Sequence, residues 1–397
     1  MKDFDLKMSK SSGAVYFMIE GRIDSGNSTN FQNAVISNIP NNFNGSIVFD
    51  CTKLNYISSA GLRVLLSLKK KVNPRIKLIN VSSEVNNILE VTGFSQIFEI
   101  TKAIRDISEI ESQLIGNNEN MSIYRMDNDT ILKLYPEGTN FSDIERELNF
   151  TKTALLSGLP TLISYYAVKY KNCYGILYEM PNAVTLSSVI DSQKWKINYY
   201  AVEMGKTLRA IHSCEPEENI FPETSKIFAR YAVKMEQYLQ DDEIDKIFRA
   251  LRVIPEAKTI VYGNYHSGNV WVQNNELILI DMSEISKGNP IFDLGKTYMI
   301  YVYESEWLSK ILINLNSINA KKFWDIMIRS YFEVEGNNFI NYQEEIIKAA
   351  AKLFSVLLPA MKNISKSDTE RLIAKARQDF FPNIDNIINL LAQARFE

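Results

Sequence analysis

A chain of 397 residues, at ~100–200 residues per domain, predicts two or three domains rather than one core. Hydrophobic residues make up 46% and charged residues 23%, the balance of a folded globular protein, which excludes a disordered or fibrous chain. With 44 Lys and Arg against 47 Asp and Glu the net charge is −3, which lacks the basic excess that binds phosphate backbones and excludes nucleic acid as a partner. The three cysteines, Cys51, Cys173 and Cys214, are far apart and have neither zinc-finger nor disulfide-framework spacing, as expected in a reducing compartment. The segment Met1–Lys10 is charged and has no apolar signal core, and no run approaches the ~20 apolar residues of a membrane span. The expectation is a cytoplasmic protein without a membrane partner.

In chain order, the first segments are short: a strand at Val15–Glu20, a helix at Asn27–Ile39, an apolar strand at Ser46–Asp50, a helix from about Ser59, a strand at Ile76–Val81 and a helix from about Ser83. Such alternation predicts a small mixed sheet covered by helices, an α/β domain over 1–115. The polar, turn-prone stretch Gly116–Asn120 reads as a linker. Strand-like runs follow at Met121–Arg125, Thr130–Tyr135, Leu162–Tyr170 and Tyr174–Met180, and helical periodicity dominates afterwards. Ile197, Ala201, Met204, Leu208 and Ile211 step by four and three, which puts them on one buried helix face. Ile346–Leu358 reads as a buried helix. The order predicts a bilobal α+β domain over 121–397, with strands to about 180 and a helical lobe from about 181.

Ser58 and Ser59 lie between the buried strand Ser46–Asp50 and the amphipathic helix that begins near Ala60. A hydroxyl there caps orphan N–H groups of the first helical turn, and the same N–H groups and helix dipole favour an anion such as phosphate. Both roles remain open on the residues alone. The run Asp50-Cys51-Thr52-Lys53-Leu54-Asn55-Tyr56-Ile57-Ser58-Ser59-Ala60-Gly61-Leu62 resembles the signature of STAS-domain anti-sigma factor antagonists. The Gly21–Asp24 turn and the strand and helix from Leu78 to Phe94 match that family's order of elements. The resemblance implies a protein partner of the anti-sigma factor or serine-kinase type and a phosphorylated serine at Ser59, with Ser58 the alternative. The family usually has Asp before that serine, and this chain has Ser58.

In the second domain the strand Leu277–Ile280 ends in Asp281, and Gly263-Asn264-Tyr265-His266-Ser267-Gly268-Asn269 lies upstream. Phosphoryl transfer needs oxygen ligands for Mg²⁺, a cation for the phosphates and a group that orients the nucleophile; Asn269 and Asp281 supply oxygens of the right kind. Together with Gly288–Gly295, these segments resemble the catalytic and metal-binding loops of aminoglycoside phosphotransferase-like kinases. The resemblance, from Gly116 to Tyr303, implies ATP and Mg²⁺ as cofactors, with Asn269 and Asp281 as metal ligands and Lys133 as the phosphate-binding lysine. It also implies Glu147 as that lysine's partner in preference to Glu145, and the segment Tyr178-Glu179-Met180 as the hinge whose backbone receives adenine, with Glu179 and Met180 as its binding residues.

Two departures stand out. Family members have His-Gly-Asp where this chain has Tyr262-Gly263-Asn264, so Asn264 replaces the catalytic Asp. A carboxamide accepts a hydrogen bond but takes up no proton, and losing a positioned base costs ~10²–10⁴ in rate. The loop over the nucleotide also lacks a second or third glycine between Gly116 and Tyr124. His212 is expected to pack or cap, and His266 to hold its loop. The expected function is a partner-binding domain fused to a nucleotide-binding, catalytically weak, pseudokinase-like domain. The alternatives are an active phosphotransferase acting on a small molecule or a protein serine, and a scaffold that binds no nucleotide.

Overall fold

The structure, a computed structural model, describes residues 4–11, 14–39, 43, 45–72, 75–107, 110, 113–118, 121–216, 220–334 and 341–396. The chain divides into two compact units, Met1–Ser108 and Glu109–Glu397.

In the first unit, strands β1 (Phe4–Ser11), β2 (Ala14–Ile23), β3 (Ser46–Ile57), β4 (Arg75–Val81) and β5 (Glu99–Lys102) form one sheet in that order. The β1–β2 pair is antiparallel and the other pairs are parallel, so the sheet is mixed. Helices α1 (Ser28–Ile36), α2 (Ser59–Val72) and α3 (Ser83–Val91) bury Phe31, Leu65 and Leu89 in the same core as Phe17, Phe49 and Leu78. Strand alternation produces this: Val15, Phe17 and Ile19 point into the core, while Tyr16 and Met18 point away from it. β3 runs seven residues beyond the expected Asp50, because two register shifts against β2 let it continue to Ile57.

The second unit begins with β6 (Gln113–Asn118), antiparallel to β7 (Met121–Arg125), with pairing from Gln113↔Arg125 to Asn118↔Met121. The expected linker at Gly116–Asn120 is therefore corrected: Gly116 to Asn118 belong to a hairpin strand, and the units part after Ser108. Polar, turn-prone residues serve a hairpin as well as a linker, so composition alone did not separate the two. Residues 119 and 120 lie outside the described residues. Next come β8 (Thr130–Leu134), α4 (Phe141–Leu156), β9 (Ser164–Tyr170) and β10 (Cys173–Glu179), giving the antiparallel order β9, β10, β8, β7, β6.

The larger lobe is helical around short hairpins. β11 (Val184–Thr185), α5 (Leu186–Ser192), α6 (Ile197–His212), α7 (Thr224–Lys234) and α8 (Asp241–Arg252) precede β12 (Thr259–Val261), β13 (Val270–Gln273), β14 (Glu276–Leu279) and β15 (Ser286–Gly288). α9 (Ile291–Tyr298), α10 (Leu308–Ile313), α11 (Ser317–Tyr331), α12 (Asn341–Met361), α13 (Lys366–Asp379) and α14 (Ile384–Leu391) complete it. The expected α6 face is fully buried, from Ile197 to Ile211, and Ile346, Phe354 and Leu358 of α12 lie in the same core. Among the described residues no helix is long and apolar enough to cross a membrane.

Candidate phosphoryl-transfer site

Of the two serines of the first unit, Ser58 takes the capping role. Ser58 precedes α2, and its Oγ accepts a 3.3 Å hydrogen bond from the Gly61 N–H, so it is the cap. Ser59 is the first helical residue and is exposed, and its hydroxyl has no hydrogen-bond partner among the described residues. Gly61 lets α2 approach the sheet: a Cβ there would meet Ile23 and Ile57 side chains at 2.7 and 2.8 Å.

In the second unit β8 carries Lys133 to the cleft between the lobes. Its Nζ lies 2.6 Å from Glu147 Oε1 and 3.1 Å from Asp281 Oδ1, and Lys133 and Glu147 are 7% and 4% exposed. Alternation along β8 explains the placement: Leu132 and Leu134 pack on one face while Lys133 faces α4. Burial alone would discharge this lysine, but the two carboxylates outweigh it and hold its pKa above the usual range. Burial likewise opposes the Asp281 charge, and Lys133 with the Ser283 contacts prevails, lowering that pKa. The Tyr178 hydroxyl donates to Glu147 Oε1 at 3.3 Å and fixes the carboxylate from a third side. The α4 acid that pairs with Lys133 is thus Glu147, while Glu145 is half-buried on the same helix.

The loop between β12 and β13 is held by a carboxylate the sequence reading did not assign. Asp293, fully buried at the start of α9, accepts the Tyr262 and Gly263 N–H groups, both at 2.7 Å, and His212 Nε2 lies 3.1 Å from its Oδ2. His212 Nδ1 contacts the Tyr331 hydroxyl at 2.8 Å, so this histidine packs as expected. Gly263 has φ +91°, and a Cβ there would come within 2.3 Å of the Glu284 carbonyl, which leaves glycine as the residue that fits. Asn264 follows, with its Oδ1 buried and without a partner among the described residues. His266 is buried; its Nδ1 accepts the Gly268 N–H at 3.2 Å, which holds the loop. Burial, with Lys362 and Lys296 nearby, pushes its pKa down to about 3.

Asn269 Nδ2 donates to the Asn264 carbonyl at 3.1 Å, which leaves its Oδ1 for another ligand. The Asn269 carbonyl accepts from the Ile280 N–H, next to Asp281, at 3.1 Å. Asp281 has φ +71°, a left-handed conformation that costs a non-glycine residue ~1–2 kcal/mol. Two carboxylates against one ammonium leave a negative centre, and a carboxylate with a carboxamide oxygen suits Mg²⁺, which keeps much of its water. The residues present therefore fit Mg²⁺. No group of three or more His, Cys, Asp or Glu residues that could hold a metal occurs among the described residues, so an all-protein cage is not formed.

The cleft beside Lys133 is narrow, a cavity of about 40 Å³ walled by Ile123, Ile131, Tyr178, Trp271 and Ile280. In the segment expected to be the hinge, the Glu179 N–H donates to the Ile163 carbonyl at 2.9 Å and the Met180 N–H to the Asp129 carbonyl at 2.7 Å. Both donors are spent and Pro181 has none, so the carbonyls of Glu179 and Met180 are what these residues offer a base. The contact of the expected hinge residue Tyr178 with Glu147, and the roles of Trp271 and Asp293, were missed; only the Gly288–Gly295 motif pointed toward Asp293.

The comparisons agree with the two-unit division. The sequence profile of the STAS domain matches residues 5–107, and that of the phosphotransferase enzyme family matches residues 112–315. A putative anti-sigma factor antagonist, BtrV of Bordetella bronchiseptica, is 29% identical over 101 residues, 25% of this chain and 86% of that protein. Among solved structures, a choline/ethanolamine kinase family protein from Mesorhizobium loti has a TM-score of 0.48 at 13% identity, covering 71% of this chain and 92% of its own. The amicoumacin kinase hAmiN, solved with AMP-PNP and Ca²⁺, has a TM-score of 0.48 at 13% identity, covering 76% and 93%. The chain joins an N-terminal STAS domain to a kinase-like fold and belongs to the phosphotransferase enzyme family.

Proposed function

We propose that the chain is a cytoplasmic regulator whose STAS domain docks a protein partner of the anti-sigma factor or serine-kinase type. Ser59 is its modifiable hydroxyl, and the kinase-like domain binds ATP with Mg²⁺ but transfers the γ-phosphoryl group slowly. One observation carries this reading: Lys133 is held between Glu147 and Asp281, while the base position holds Asn264, whose buried Oδ1 has no partner among the described residues. Lys133 would bind phosphate oxygens, and Asn269 and Asp281 would hold the metal, which supplies charge neutralisation when bound. Asn264 would orient an acceptor hydroxyl without taking its proton. At Ser59, a phosphate would add ~−1.5 to −2 charge beside the first-turn N–H groups of α2 and change the docking surface.

Steady-state MgATP turnover tests this. Wild type is expected to be near background, and Asn264→Asp to raise the rate ~10²–10⁴-fold. Wild-type turnover at ~1–100 s⁻¹, the kinase range, would overturn weak transfer and leave an active phosphotransferase acting on a small molecule or a protein serine. A second reading, a domain that binds no nucleotide and serves as a scaffold, is favoured by the small volume of the cleft beside Lys133, about 40 Å³.

A further inference from the structure

A second cavity in the kinase-like unit, about 320 Å³ in volume, shares no lining residue with the cleft beside Lys133. It is walled by α4, α7, the segment after Asp281 and the side of α9. Three cations line it, Arg146, Arg230 and Lys296, against a single carboxylate, Glu284. Lys296 is 3% exposed and pairs with Glu284 at 2.7 Å, and Arg146 reaches the exposed Asp143 at 2.8 Å. Arg230 has no carboxylate within ion-pair distance among the described residues, so the cavity keeps an uncompensated positive charge.

The rest of the wall combines aromatic and aliphatic side chains with the hydroxyls of Thr224, Ser283 and Ser286. Phe228 packs against Phe292 at 4.7 Å between ring centres and edge-on against Tyr231 at 5.7 Å, and Phe150 meets Phe221 edge-on at 5.3 Å. Burial, with Glu284 nearby, pushes the Tyr231 hydroxyl up to about 12, so it stays a neutral donor. A concavity that sets polar groups against aromatic walls is the form of a small-molecule site, and the charged groups here are in cationic excess.

We propose that this cavity binds a small amphipathic anion, a phosphate or carboxylate head on an aromatic or branched apolar body, with Arg230 as the head's counter-charge. Guanidinium is suited to such heads because its planar fork donates two parallel hydrogen bonds to one anion. The aromatic wall receives the body, and Lys296 stays engaged with Glu284 as the rigid back of the site.

The test is calorimetric titration of the full chain at low salt with phenyl phosphate, inorganic phosphate and phenol as probes. Phenyl phosphate is expected to saturate one site and to bind more tightly than either fragment. Arg230→Gln, at an exposed helical position where folding is undisturbed, should weaken that binding ~10-fold or more, and Arg230→Lys should retain part of it. The proposal is overturned if phenyl phosphate gives no saturable heat up to ~10 mM, a level that detects even weak complexes. It is equally overturned if Arg230→Gln binds phenyl phosphate as wild type does.

Discussion

The two candidate phosphate chemistries of this chain occupy opposite physical settings. Ser59 is an exposed hydroxyl without a partner among the described residues at the start of α2, whereas Lys133 is buried and ion-paired to two carboxylates from different elements. An exposed serine contributes almost nothing to the fold and is free to be modified, so its effect is read on a surface. A buried lysine is part of the fold, so nucleotide chemistry and stability share the same atoms.

That contrast is broken or sharpened by substitution. Lys133→Met leaves Glu147 and Asp281 buried without their cation and is expected to cost about 3–5 kcal/mol in urea unfolding. A cost below ~0.5 kcal/mol, the level of a surface change, would erase the distinction. His266 yields the next effect. Its folded pKa lies near 3 against an ordinary 6.5, so below pH 6.5 the unfolded chain takes up a proton that the folded chain refuses. Stability contributed by the neutral imidazole is thus present above pH 6.5 and lost as pH falls toward 3. Urea titrations at pH 6.5 and about 5 should differ by about 2 kcal/mol more in wild type than in His266→Gln. Smallest are the two serines: Ser58→Ala should cost about 1 kcal/mol through the lost cap, and Ser59→Ala less than ~0.5 kcal/mol. Equal losses would mean that the cap and the free hydroxyl are not divided between them.

Local pattern made much of this legible. Lys133 in its apolar strand, Asp281 at a strand end and Glu147 on a helix were singled out by the resemblance to aminoglycoside phosphotransferase-like kinases, with the strand and helix patterns locating the elements that carry them. What was not legible depends on residues brought together from far along the chain. Asp293 accepts N–H groups some thirty residues upstream of it, and Tyr178 reaches Glu147 across α4. Gly116–Asn118, the end of the first hairpin strand, was read as part of a linker because its turn-prone residues carry the same composition as a free segment. The small volume of the cleft beside Lys133 is a packing outcome that periodicity does not report.

The central claim, an assembled nucleotide site that transfers poorly, is tested most directly by titrating the full-length protein with ATP in a calorimeter, with and without Mg²⁺. The account predicts saturable binding that depends on Mg²⁺ and is lost in Lys133→Met. No heat of binding at millimolar ATP would contradict it and leave the kinase-like unit as a scaffold.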